Sequence, residues 1–171
     1  MKKIVCLLLV IAMLFCFCAC TDTPTKETGT EGTTSNTEKE ETFSLNDTAA
    51  FKTLKFTATE LKETEGTDFF VPEDGNVFVG VKFTIENVSD EEQTISSILL
   101  FEAYADDIKC DYSINAACAF SDGTLDGSIA PGKKLVGWYA LEVPENWQSI
   151  ELDVQANFLS NSTAKFVFEN K

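Results

Sequence analysis

Neither histidine nor arginine occurs in this 171-residue chain, and all 13 of its basic residues are lysine. Without His, a Ser-His-Asp or Cys-His arrangement and a His-ligated zinc site are out of reach; without Arg, so is a guanidinium clamp on phosphate. A Ser-Lys pair or two carboxylates remain chemically open, and Asp106, Asp107 and Asp111 are candidates for the latter. Acids are so frequent in the turns of this chain that no pair stands out, so neither an enzyme nor a cofactor is expected. A long apolar run is missing as well. The longest, Ile4 to Ala19, has 16 residues, short of the roughly 20 that cross a bilayer as a helix. Positive charge is scarce too, because 28 acidic residues face 13 lysines and all of the acids lie beyond Ala19.

What is present begins with an address. Lys2 and Lys3 precede the apolar run in the manner of a cleavable export signal. The run closes on Phe17-Cys18-Ala19-Cys20 and changes abruptly to Thr21-Asp22-Thr23-Pro24. A small residue directly before a cysteine at this place resembles a bacterial lipobox, with Phe17 standing where Leu is usual. The resemblance implies that Cys20 receives a diacylglyceryl group and becomes the new N-terminus. Cys16 and Cys18 follow the bulky Phe15 and Phe17, which suit a signal peptidase poorly. Two acyl chains hold a protein on a membrane stably where one holds it marginally, so the chain is expected on the outer face of the cell membrane. Loss of residues 1–19 removes two lysines and leaves a net charge of 11 − 28 = −17. Such a polyanion is repelled by nucleic acid, which is excluded as a partner. The partners expected are the membrane, through Cys20, and an unidentified envelope or extracellular protein.

Three segments follow from this: a signal peptide over 1–19, a lipidated cysteine with a disordered linker over 20–42, and one domain over 43–171. Residues 21–42 hold nine Thr, six acids and no aromatic or large aliphatic side chain, too little apolar surface to offset chain entropy. As a flexible coil this tether spans about 25 Å on average and about 75 Å fully extended.

Beyond it the apolar residues recur with a period of two, the mark of strands with one buried face. Val77, Val79, Val81, Phe83 and Ile85 share a face, as do Leu54, Phe56 and Ala58. Further strands are expected over 98–105, 133–143, 149–156 and 163–169, with short ones near 43–45 and 109–114. Turn signals such as Asn87-Val88-Ser89-Asp90, Pro131-Gly132 and Pro144-Glu145-Asn146 separate them. No stretch sustains a helical period. Seven or eight short strands in one domain predict an all-β, antiparallel sandwich.

Phe78-Val79-Gly80-Val81-Lys82-Phe83-Thr84-Ile85-Glu86-Asn87, followed by Pro131-Gly132-Lys133-Lys134-Leu135-Val136-Gly137-Trp138-Tyr139-Ala140-Leu141-Glu142-Val143-Pro144, resembles the uncharacterised telokin-like, immunoglobulin-fold domains of many Gram-positive lipoproteins. That family is related in fold to a secreted mycobacterial immunoprotective antigen. Leu141 replaces the family's usual Phe. The resemblance covers roughly 45–169 and implies an immunoglobulin-like fold outside the cytoplasm, with no catalytic residues to carry over.

Four further groups invite a function. Ser121-Asp122-Gly123-Thr124-Leu125-Asp126-Gly127 has acids and glycines suggestive of calcium, but lacks the alternating acids and distal Glu of an EF-hand loop, and turn chemistry accounts for it, so no metal is expected. Cys110 and Cys118 either form a disulfide across a hairpin or serve as two small buried apolar residues. Trp138 and Phe78 lie opposite the core-facing rows of their strands; they form an exposed interaction surface unless a helix, an edge or a lid such as Phe69-Phe70-Val71 covers them. Trp147, after the Pro144 turn, is expected to plug one end of the sandwich.

Overall fold

The computed structural model describes residues 24–27, 42–120, 123–159 and 162–170. Along them run β1 Thr25–Glu27, β2 Thr42–Phe43, β3 Thr48–Ala50, β4 Leu54–Thr64, β5 Asn76–Asn87, β6 Gln93–Ile95, α1 Ser97–Leu100, β7 Phe101–Ala105, β8 Ile108–Cys110, α2 Ile114–Ala119, β9 Gly127–Ile129, β10 Lys134–Pro144, β11 Ser149–Gln155 and β12 Thr163–Glu169. Two five-stranded sheets, ordered β1-β3-β4-β5-β10 and β2-β12-β11-β7-β8, enclose the core, while β6 and β9 form a small ribbon. Every strand pair is antiparallel except β2 with β12. The chain is an all-β sandwich, as its alternation predicts.

Alternation does the sorting. On β5, Val77, Val79, Val81, Phe83 and Ile85 all enter the main core, where they meet Phe101, Leu152 and Phe166 from the facing sheet. Phe83 sits edge-on to both Phe101 and Phe166 at 5.5 and 5.3 Å, a geometry that aromatic quadrupoles favour. Opposite Phe83, the register places Gly137 of β10. There the backbone of Thr124 and Leu125 crosses so closely that a Cβ on Gly137 would lie 2.5 Å from the Thr124 carbonyl oxygen.

Asn87 explains why the strand ending in an Asn turn pairs with the one after Pro131-Gly132. Its side chain is fully buried, donating to the carbonyls of Glu91 and Ile129 at 2.7 and 2.8 Å and accepting from the Ser89 amide at 2.9 Å. Its backbone amide and carbonyl bond to Lys133 and Gly132. A buried amide with its donors and acceptor all engaged fixes this corner instead of destabilising it.

Strand directions give the sandwich two ends. Thr25 and Thr42 both open their strands at the end where β4 starts and β5 finishes; the Asn157–Leu159 loop after β11 lies there as well. We call this the entry end. At the far end stand the 65–75 loop, the turn 145–148 and the Asp106-Asp107 turn.

Several expectations change. Thr25–Glu27 and Thr42 fall inside the segment read as a disordered linker, yet both belong to strands. Lys26 and Glu27 make ion pairs with Asp47 and Lys55 at 2.6 and 2.7 Å, which is what draws this polar tract onto an edge. Linker residues 21–23 and 28–41, and Cys20, lie outside the described residues. The strands expected over 98–105 and 109–114 are shorter, because α1 precedes β7 and α2 follows β8. Ser113 caps α2 by accepting from the Ala116 amide at 3.2 Å, an N-cap role that small hydroxyl residues favour.

A cleft between the two sheet edges

Between β4 and β12, towards the far end, a cleft of about 780 Å³ opens between the two sheets. A slip in β4 shapes one wall. Leu54, Phe56 and Ala58 face the core, but the pairing with β5 shifts between Ala58 and Glu60, as an extra residue in a bulge requires. Alternation restarts one position out of phase, so Leu61 and Glu63 now line the cleft. The Glu63 carboxylate accepts from Trp147 Nε1 at 3.0 Å, and Trp147, buried in the main core, closes the end of the sandwich. Phe43 and Phe168 supply further apolar surface, with half-exposed Leu45 at the rim and Glu169 beside it.

Lys26 of β1 is the cation among the cleft's described residues. It ion-pairs with Asp47, donates to the Thr42 carbonyl at 3.3 Å and lies 5.7 Å over the Phe43 ring. Burial raises the pKa of Asp47, but hydrogen bonds from Lys26, the Ser44 amide and the Ser44 hydroxyl, with the Lys26 charge, outweigh it and hold the carboxyl below its ordinary value. Both strands flanking the cleft keep a free edge. Beyond Ala58, β4 has lost its β3 neighbour, and beyond Phe166, β12 has lost β2, among the described residues. Unpaired edges of this kind accept an added strand.

A smaller hollow of about 300 Å³ lies between β7, β8 and β10. Tyr139 is stacked on Phe101 at 4.9 Å and lies 5.4 Å from the tilted ring of Tyr112, and Cys110 borders them. Burial, and then the charge of Asp111, push the Cys110 thiol up to about 11. A thiol held protonated is a weak nucleophile, so the hollow offers no reactive sulfur.

The remaining candidates resolve as follows. Cys110 and Cys118 are separate thiols, one half-buried on β8 and the other exposed on α2, so the disulfide reading does not hold in the structure. Trp138 and Phe78 are 3% and 0% exposed and form no exposed surface. They do sit on the outer face of their sheet, but Ala116 and Ala117 of α2 and the stacked ring of Phe120, 4.8 Å from Trp138, cover them. Of the suggested lid, Phe70 packs against this cluster while Phe69 and Val71 face outward. Asp126, from the calcium candidate, is engaged by the Ser97 amide and hydroxyl at 2.9 Å; Ser121 and Asp122 lie outside the described residues. Asp106 accepts from the Gln148 and Ser149 amides at 2.9 and 2.8 Å and, like Asp107, has positive φ. That is the backbone a two-residue hairpin needs, so these two acids build a turn. Asp111 is exposed next to Cys110. Leu61 and Glu63 were missed by sequence reasoning, although the three-residue step from Ala58 to Leu61 is a visible break in a two-residue period.

The fold and the cleft together define a small all-β sandwich in which, among the described residues, the edges of β4 beyond Ala58 and β12 beyond Phe166 are unpaired. The family follows from comparison: the chain belongs to the domain of unknown function DUF4352, whose model matches residues 43–165. A search of curated proteins finds no match. Among solved structures, a candidate lipoprotein, ycdA from Bacillus subtilis, superposes with a TM-score of 0.57 at 14% identity, over 68% of this chain and 36% of its own length. The chain thus spans about a third of that protein. An uncharacterised β-sandwich protein from Clostridium difficile matches with a TM-score of 0.53 at 16% identity, over 82% of this chain and 100% of that one. The yjhA protein from Bacillus subtilis matches with 0.53 at 16%, over 74% and 97%. At these identities the likeness is one of fold. No helix among the described residues is long and apolar enough to cross a membrane.

Proposed function

We propose that this protein is a lipid-anchored module on the outer face of the cell membrane that binds an extended segment of an envelope or surface protein in the cleft between β4 and β12. The observation that carries the reading is the cleft itself, apolar within and bordered by two strand edges that are unpaired among the described residues. A partner strand could pair with either edge while alternate side chains enter the cleft. Glu63 and Glu169, on a chain of net charge −15, favour a segment mixing apolar with basic side chains. The Cys20 lipobox supports the anchor, and the description of ycdA as a candidate lipoprotein is in keeping with it. The telokin-like kinship inferred from the β5 and β10 motifs belongs with this reading and is compatible with the sandwich.

A photoreactive residue at Leu45, introduced in intact cells, should crosslink to one envelope protein, and Leu61→Asp should remove that adduct. Failure to crosslink from Leu45, or an equal yield from Val136 on the other side of the sandwich, would contradict the cleft as the binding site. A second reading, a small-ligand or ion sensor, rests on the cleft's volume, which lies in the range of small-molecule sites. A rise in melting temperature on adding a metabolite or metal would favour it.

A further inference from the structure

The entry end carries exposed apolar side chains that no described part of the molecule covers. Phe158 and Leu159, in the loop after β11, are 66% and 81% exposed. Ile98 and Leu99 of α1 are 69% and 62% exposed. They lie at the same end, since α1 leads into β7 and the pairing of Phe101 with Val154 sets it beside the end of β11. Core-quality side chains held this far out are costly in water and commonly mark a contact surface.

The chain's own direction identifies the contact. Thr25 pairs with Ala50 and Thr42 with Lys165, so both strands that receive the N-terminal segment begin at this end. With β1 docked, only residues 21–24 separate Cys20 from Thr25, and five residue steps reach at most about 18 Å. An anchor at Cys20 therefore brings the entry end to the bilayer.

We infer that Phe158 and Leu159, supported by Ile98 and Leu99, insert into the bilayer surface and make a second point of attachment that fixes the orientation of the sandwich. This inference rests on the lipid-anchor reading. Charge at this end is mixed: Lys52, Lys133 and Lys134 stand with Asp90, Glu91 and Glu92, so attachment is apolar and does not depend on anionic lipid. An amphipathic surface of aromatic and aliphatic residues beside a lipid chain follows the two-signal pattern of stable peripheral binding. The orientation turns the far end, with the cleft and Phe69, away from the membrane.

The test uses the full lipidated chain with Cys118→Ser, carrying an environment-sensitive fluorophore on Leu159→Cys or, as a control, on Phe69→Cys. Both are bound to phosphatidylcholine vesicles containing bromine-labelled acyl chains. The inference expects strong quenching and a blue shift at position 159 and neither at position 69. It expects Phe158→Ser combined with Leu159→Ser, both on a Cys118→Ser chain, to pass between vesicles about tenfold faster or more. Equal behaviour of the two labels, or an unchanged transfer rate, overturns the insertion while leaving the anchor intact. A chain that fails to float with vesicles overturns the anchor and the insertion with it.

Discussion

At Gly137 a single methyl group would meet backbone. Its Cβ position lies 2.5 Å from the Thr124 carbonyl oxygen and 2.6 Å from the carbonyl carbon, and backbone cannot swing aside as a side chain can. Thr124 bridges to Trp138, and the same strap carries the fully buried Leu125 into the core. Gly137→Ala should therefore push the strap off the sheet and destabilise the domain by on the order of 3 kcal/mol, read from urea unfolding. A loss below about 0.5 kcal/mol, the usual scale of a surface change, would contradict the close crossing. Gly80 is a milder case. A Cβ there meets the tip of the Phe120 ring at 2.7 Å, and that ring can move at the expense of its stacking on Trp138. Neither constraint is legible from composition, because the atoms that create it come from residues 13 and 40 positions away.

At the scale of elements, β1 is the marginal piece. It has three paired residues and ion pairs at a partly exposed edge, and such pairs contribute about 0–1 kcal/mol each. Asp47 links it to pH. Its folded pKa is held below the ordinary value, so the linked stability is present above the unfolded pKa of about 3.9 and is lost as pH falls through the lower, folded one. Lys26→Ala removes a hydrogen bond and the cation while the burial stays. The Asp47 carboxyl should then titrate at a higher pH than in the parent, and amide protection at Thr48–Ala50 should weaken at a correspondingly higher pH. Carboxyl NMR titration with hydrogen exchange measures both, and an unshifted Asp47 would show that Lys26 does not hold it. The long strands β5, β11 and β12 were legible because their alternation runs unbroken over seven residues, whereas β10, buried on both faces at its middle, was legible from the turn signals Pro131-Gly132 and Pro144-Glu145-Asn146 that bound it. Three-residue strands such as β3, β6 and β9 are too short to show a period, and α2, at six residues, completes fewer than two turns. The aromatic face of Phe78 and Trp138 was legible as a face; its cover was not, since it depends on how the chain between β8 and β9 folds back. The cleft stayed hidden for a related reason. Its walls come from β1, β4, the β2–β3 connection and the end of β12, which only the sheet order brings together.

The whole molecule has a direction. Both N-terminal strands begin at one end, the exposed Phe158 and Leu159 stand there too, and the cleft opens towards the other. A lipid at Cys20 would give that asymmetry its purpose: the anchor sets position, β1 shortens the tether, and the cleft is presented outward. Everything in this arrangement depends on the chemistry of one thiol. The decisive measurement is metabolic labelling with a tagged fatty acid, comparing the parent with Cys20→Ala. A lipid-anchored module should incorporate the label and fractionate with membranes, and Cys20→Ala should carry no label and accumulate as uncleaved precursor or in the medium. Label retained by Cys20→Ala, or a parent released unlabelled into the medium, would contradict the anchor and the orientation built on it.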